Sequence, residues 1–142
     1  MMSGIKGKNT KPELLIRKAL FEKGFRYNLH GKFRDKKLPG KPDLVFPKYN
    51  AVIFIHGCFW HGHNCHLFKW PSTRPKFWKE KINRNGEVDK RNYLGLKREG
   101  WWILTIWECA LKGKTRLNQD KVIRSVTNWL EYGLRDKVIK GR

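Results

Sequence analysis

Cys58, His63 and Cys65 place three soft ligands in a short stretch, and His56, His61 and His66 stand beside them. Thiolates and imidazole at this spacing form a zinc-type donor set, and Cys109 is the only cysteine left to close a Cys3His tetrahedron. Such a closed set is structural, pinning a loop rather than activating a substrate. Spacing alone leaves open which histidine completes it, because His61 and His66 are also near. An odd number of cysteines argues against a disulfide framework. The opening residues lack the apolar stretch of a signal peptide, so the expected compartment is a reducing cytosol, where clustered Cys and His serve as metal ligands.

Asp43 offers a second chemistry. It follows Pro42 at the head of the apolar run Leu44-Val45-Phe46, and the next run ends at Ile55-His56. A carboxylate on one strand beside the end of its neighbour is a common way to hold Mg²⁺, a hard ion that prefers oxygen and keeps waters for a phosphate. By itself a turn aspartate after proline is the plainer reading. The surplus histidines and the basic charge add the weight that the single residue lacks.

Phe59, Trp60 and Trp78 lie among or near basic residues such as Arg74, Lys76, Lys79 and Lys81. That mixture suits stacking on bases or wedging between base pairs while the cations neutralise phosphate. Trp101, Trp102, Trp107 and Trp129 lie on periodic elements and are expected to pack in the core or at its rim.

The elements that must position these groups follow from the hydrophobic pattern. Thr10-Lys11-Pro12-Glu13 is a helix start with Thr10 as cap and Glu13 at the capping-box position; Leu14, Leu15, Ala19 and Leu20 form the apolar stripe, and Gly24 ends it. Alternation from Phe25 to His30 predicts a half-buried strand, and Gly31 to Lys41 a basic loop. Asp43 to Phe46 and Ala51 to His56 predict two strands of a hairpin joined by the turn Pro47-Lys48-Tyr49-Asn50. A helix is expected over Pro75 to Arg98, interrupted around Asn85-Gly86, then a buried strand Trp101 to Trp107 and a last helix from Asn118 to Gly133. The order is α, three strands, α, β, α, in a chain whose length predicts one domain over residues 1–142.

Thirty-two Lys and Arg oppose twelve Asp and Glu, for a formal charge of +20 spread along the 142 residues. Such an excess repels itself and is met by a polyanion, nucleic acid before an anionic membrane surface. No segment approaches the roughly 20 apolar residues of a membrane span.

Four segments then become recognisable together. PGKPDLVF, VIFIHGCFWHGHNC, FWKEKI and IWECAL, in one register within about Thr10 to Leu130, resemble the very-short-patch repair (Vsr) endonucleases, which cut DNA beside T:G mismatches. The resemblance implies an α/β (α+β) fold with a restriction-endonuclease-like PD-(D/E)xK core, a mixed central sheet flanked by helices and a structural Zn²⁺ at Cys58, His63, Cys65 and Cys109. It implies Asp43 as the catalytic Mg²⁺ ligand, helped by the backbone carbonyl of Ile55, with the second acid and lysine of that core missing. His61 takes the proton-transfer role, oriented by Asp89, and neutral imidazole near pH 7 suits that task. Glu13 and His56 match a further acid and a further histidine of the site, while Phe59, Trp60 and Trp78 match the aromatics that wedge into DNA.

The implied activity is a Mg-dependent DNA endonuclease that nicks one strand of duplex DNA 5′ to the thymine of a T:G mismatch. The implied setting is very short patch repair by a cytoplasmic, nucleoid-associated monomer that does not bind membranes, with mismatch-repair proteins as candidate partners. Relatives usually carry residues ahead of the equivalent of Ser3 that help clamp DNA, and residues 1–9 are expected to form a short flexible arm. The alternatives are a zinc-stabilised DNA-binding module without catalysis, and a nuclease of the same fold lacking mismatch preference.

Overall fold

The structure is a computed structural model and describes residues 10–133 and 135–142; the expected N-terminal arm lies outside the described residues. Helix α1 (Lys11–Glu22) begins where expected, with Oγ1 of Thr10 accepting the backbone N–H of Glu13 at 3.3 Å. Ile16 and Leu20 form its buried face. Lys23 closes the helix by donating its N–H to the carbonyls of Ala19 and Leu20, and Gly24 turns the chain at φ +97°.

The predicted strand from Phe25 is much shorter, β1 (Asn28–Leu29). Its alternation is real but reports packing rather than pairing. Phe25 is buried against the core, and Tyr27 donates its hydroxyl to the carbonyl of Arg17 on α1 at 2.8 Å. The basic segment expected to be irregular contains a small hairpin, β2 (Lys32–Phe33) with β3 (Lys36–Lys37), anchored by Phe33 edge-on to Trp101 at 5.1 Å. Two-residue strands have no periodicity for a sequence reading to detect.

Strands β4 (Leu44–Phe46) and β5 (Ala51–His56) form the expected antiparallel hairpin, with Leu44 opposite Ile53 and Phe46 opposite Ala51. Helix α2 (Pro75–Arg98) corrects the expected interruption, because it runs unbroken through Asn85 and Gly86. Gly86 lies on an open face, with nothing within 4 Å of the position its Cβ would take, and the loss of about 1 kcal/mol relative to alanine is tolerable in a long helix. Asn85 turns its side chain outward to donate to the carbonyl of Trp60 at 2.8 Å, tying the Cys/His loop to the helix.

Strand β6 (Trp102–Trp107) lies parallel to β5 in a register that sets Ile53 beside Leu104 and His56 beside Trp107. Helix α3 (Gln119–Tyr132) is capped by Asn118, which accepts the N–H of Lys121 at 3.1 Å. Strand β7 (Lys137–Ile139) then adds parallel to β6, a strand that the sequence reading did not anticipate. The five-stranded mixed sheet has the order β1-β4-β5-β6-β7.

Successive residues of a strand face opposite sides, so this sheet needs apolar cover twice. Leu44, Phe46, Ile53, Leu104 and Ile106 share one cluster with Ile16 and Leu20 of α1 and Val126 and Leu130 of α3. Val45, Val52, Phe54 and Ile103 pack with Leu96 of α2 on the other face. That double burial explains why β5 and β6 read as continuous apolar runs. Helix α2 is fastened at its far end by Asp136, whose carboxylate accepts hydrogen bonds from Tyr93, Lys97 and the backbone N–H of Ile103.

Candidate active site

Among the described residues, two groups of metal-capable side chains form at the end of β5. In the first, ligand atoms of Cys58, His63, Cys65 and Cys109 all lie within 4.8 Å of one another. Cys109 reaches the loop because a 3-10 turn, Glu108–Ala110, follows β6 directly. Nδ1 of His63 is 3.5 Å from Sγ of Cys58 and 3.6 Å from Sγ of Cys109. A tetrahedral ion with ordinary metal–sulfur and metal–nitrogen bonds requires an S···N edge of about 3.6 Å, so the donor set fits such an ion.

The structure also resolves which histidine joins the cysteines. His61 is hydrogen-bonded to Asp89, and Nδ1 of His66 lies 3.3 Å from the hydroxyl of Thr115, leaving His63 in the cluster. Gly62 makes this division possible. Its φ of +64° reverses the chain between the two histidines, and a Cβ there would stand 2.7 Å from Ile82 of α2. Burial pushes the Cys58 thiol pKa up.

The second group is His56, His61 and Asp89. Nδ1 of His61 meets Oδ2 of Asp89 at 2.5 Å, with Asp89 presented by α2. His56 stacks on His61 with ring centroids 3.8 Å apart. Burial, with the neighbouring His61 as a smaller cause, lowers the His56 pKa to about 3, so His56 is neutral at pH 7.

Asp43, Ile55, His56, His61 and Asp89 line one cavity of about 560 Å³. Oδ2 of Asp43 accepts the N–H of Ile55 at 2.6 Å, and the Glu13 carboxyl is its acidic neighbour. Burial raises the Asp43 pKa to about 7; the Ile55 bond opposes this and the neighbouring Glu13 carboxylate adds to it. Two carboxyls joined in a buried site share a proton readily, and a divalent cation relieves the same repulsion. Glu13 is 1% exposed and also accepts Arg17 at 2.8 Å and contacts Nε2 of His30 at 3.0 Å. Its carboxylate is therefore held behind Asp43 by Arg17 and His30, while its backbone N–H serves the cap at Thr10.

A second cavity, of about 880 Å³, shares Ile55, His56 and His61 with the first and is lined by Phe59, Trp60 and Trp78. These rings touch one another at centroid distances of 5.3 to 6.0 Å. Phe68, Trp70 and Phe77 extend the cluster, with Trp70 54% exposed. Lys69 and Lys112 stand in its wall.

The match to known proteins accords with this geometry. Residues 1–67 fit the family model described as DNA mismatch endonuclease Vsr. The chain is 44% identical over 128 residues to the type II nicking enzyme V.NmeAIP of Neisseria meningitidis serogroup A, covering 89% of each protein. It is 40% identical over 129 residues to the DNA mismatch endonuclease Vsr of Escherichia coli K12, covering 91% of this chain and 80% of that one. The chain belongs to the Vsr family of DNA mismatch endonucleases. A third Vsr-family relative, the type II nicking enzyme V.XorIIP of Xanthomonas oryzae, is 42% identical over 111 residues, covering 78% of this chain and 79% of that one.

The structure adds two groups to the site that the sequence reading had not assigned to it. His30 lay on the polar side of an expected strand, and only its contact with Glu13 places it in the site. Trp107 was expected to be packing. It instead stacks flat on His63, centroids 4.1 Å apart at 8°, and lies 5.2 Å from His56 and 6.1 Å from His61. No helix among the described residues is long and apolar enough to cross a membrane.

Proposed function

We propose that this chain nicks one strand of duplex DNA 5′ to the thymine of a T:G mismatch, by hydrolysis of the scissile phosphodiester. The observation that carries this reading is the convergence of the Asp43 carboxyl and the His61–Asp89 pair on one cavity, next to a second lined by aromatic rings.

In this reading Asp43 and the Ile55 carbonyl hold Mg²⁺, which supplies neutralisation of the phosphate charge. The oxygen-only donor set suits a hard ion. Asp89 accepts a hydrogen bond from Nδ1–H of His61, so Nε2 is the nitrogen that accepts a proton from the attacking water. His56, neutral and stacked on His61, fixes the plane of that ring. Glu13 holds the Asp43 carboxyl in place from α1.

Phe59, Trp60 and Trp78 enter the duplex as a wedge, and unstacking is cheaper beside a mismatched pair. The +20 charge supplies sequence-independent attraction to the backbone. Zn²⁺ at Cys58, His63, Cys65 and Cys109 is the structural ion, pinning the loop that carries His61 and the wedge to the end of β6. The succession α1, β1, β4, β5, α2, β6 about the main sheet, with Asp43 at the head of its β4–β5 hairpin, supports a restriction-endonuclease-like core that uses histidine in place of the second acid and lysine. We place the protein in the cytoplasm with the nucleoid, as a single-domain monomer in very short patch repair, with mismatch-repair proteins as partners.

Nicking of matched and T:G duplexes with identical flanks, in Mg²⁺, tests the reading. Cleavage of the T:G duplex alone, in one strand, is the expected result. Equal cleavage of both would leave a nuclease without mismatch preference, and binding without cleavage a DNA-binding module.

A further inference from the structure

Four of the chain's five histidines fall in the Cys/His-rich segment, and the fifth, His30, lies well before it at the end of β1. Its backbone adopts φ +54°, a left-handed conformation sparsely populated by residues other than glycine and asparagine. From there one residue, itself in the wall of the cavity, reaches both Asp43 and Glu13. The main-chain N–H of His30 donates to the main-chain carbonyl of Asp43 at 3.1 Å, and its Nε2 contacts Oε2 of Glu13 at 3.0 Å. Arg17 donates to the same Oε2 at 2.8 Å. Two donors on one carboxylate oxygen fix the rotation of the carboxyl group, and Glu13 is close enough to Asp43 to help raise its pKa.

We propose that His30 is a positioning residue for the divalent-metal site, bridging α1 to the head of β4 so that Glu13 and Asp43 present their carboxyl groups in one fixed relation. The proposal rests on the metal reading of Asp43 given above. Arg17 reaches Glu13 from within the same helix and so cannot register α1 against the sheet. His30 comes from the sheet side and can. An ion that takes few protein ligands depends strongly on how those ligands are held.

The test uses the full chain with its zinc retained and Mn²⁺ as the probe, bound ion being read from the loss of the free-ion electron paramagnetic resonance signal. Wild type is expected to bind Mn²⁺ and Asp43→Ala to lose that binding. His30→Ala should weaken Mn²⁺ binding about tenfold, the size expected for one charge-assisted hydrogen bond, and raise the Mg²⁺ needed for half-maximal nicking by the same factor. His30→Gln, whose amide can still donate to Glu13, should recover most of both. Wild-type Mn²⁺ affinity in His30→Ala overturns the proposal, as does a change confined to the melting temperature, or equal losses in His30→Gln and His30→Ala. Absence of Asp43-dependent Mn²⁺ binding in wild type would instead sink the metal reading itself, and the proposal with it.

Discussion

Replacing Asp43 by asparagine should abolish nicking and at the same time make the protein more stable at alkaline pH. Asparagine is close in size, its carbonyl oxygen can accept the N–H of Ile55, and its amide is a donor facing the Glu13 carboxylate, so the bond of the native side chain survives. What disappears is a buried charge. The Asp43 pKa rises from 3.8 to about 7 on folding, mainly through burial, which corresponds to about 4 kcal/mol of ionisation penalty in the Mg-free folded state. Because the folded pKa is the higher one, the penalty is absent below about pH 4, grows as pH rises to 7, and is constant above. Urea unfolding of wild type and Asp43→Asn in Mg-free buffer should therefore show the variant ahead by about 4 kcal/mol at pH 8, and by less than half of that at pH 5. Mg²⁺ should raise wild-type stability and leave the variant unchanged. A variant no more stable than wild type at pH 8 would refute the account of Asp43 as a carboxylate held under electrostatic strain.

Cys109→Ser should reduce bound zinc and thermal stability together, checked by metal analysis and calorimetry on the same preparation, because structural zinc binding is part of the folding free energy. Asp89→Asn should lower the nicking rate by roughly 10- to 100-fold with little effect on DNA affinity, because it changes the partner of His61 Nδ1 and not the wedge; single-turnover kinetics with a parallel binding titration separates the two.

The parts of the fold that bury a continuous face were legible in the residues. Strands β5 and β6 announced themselves as apolar runs, and α1 and α3 by capping residues and a stripe at helical spacing. Strand β7 was hidden because Lys137 and Val138 are exposed and only Ile139 is buried, leaving no pattern to find. The continuity of α2 was missed because Asn85-Gly86 is a turn signal by local preference, overridden by the contact of Asn85 with the Cys/His loop. In the site, residue types and spacing singled out the cysteines, the histidines of the loop and Asp43. His30 and Trp107 carried no such mark, since their importance lies in neighbours that only the folded chain brings to them.

Trp107 has one face against a cysteine-cluster histidine and an edge toward the two histidines of the neighbouring cavity. A single indole thus serves as a party wall between two rooms. Chelation or oxidation of the cysteines is therefore expected to unseat the indole and, with it, the two imidazoles on its other side.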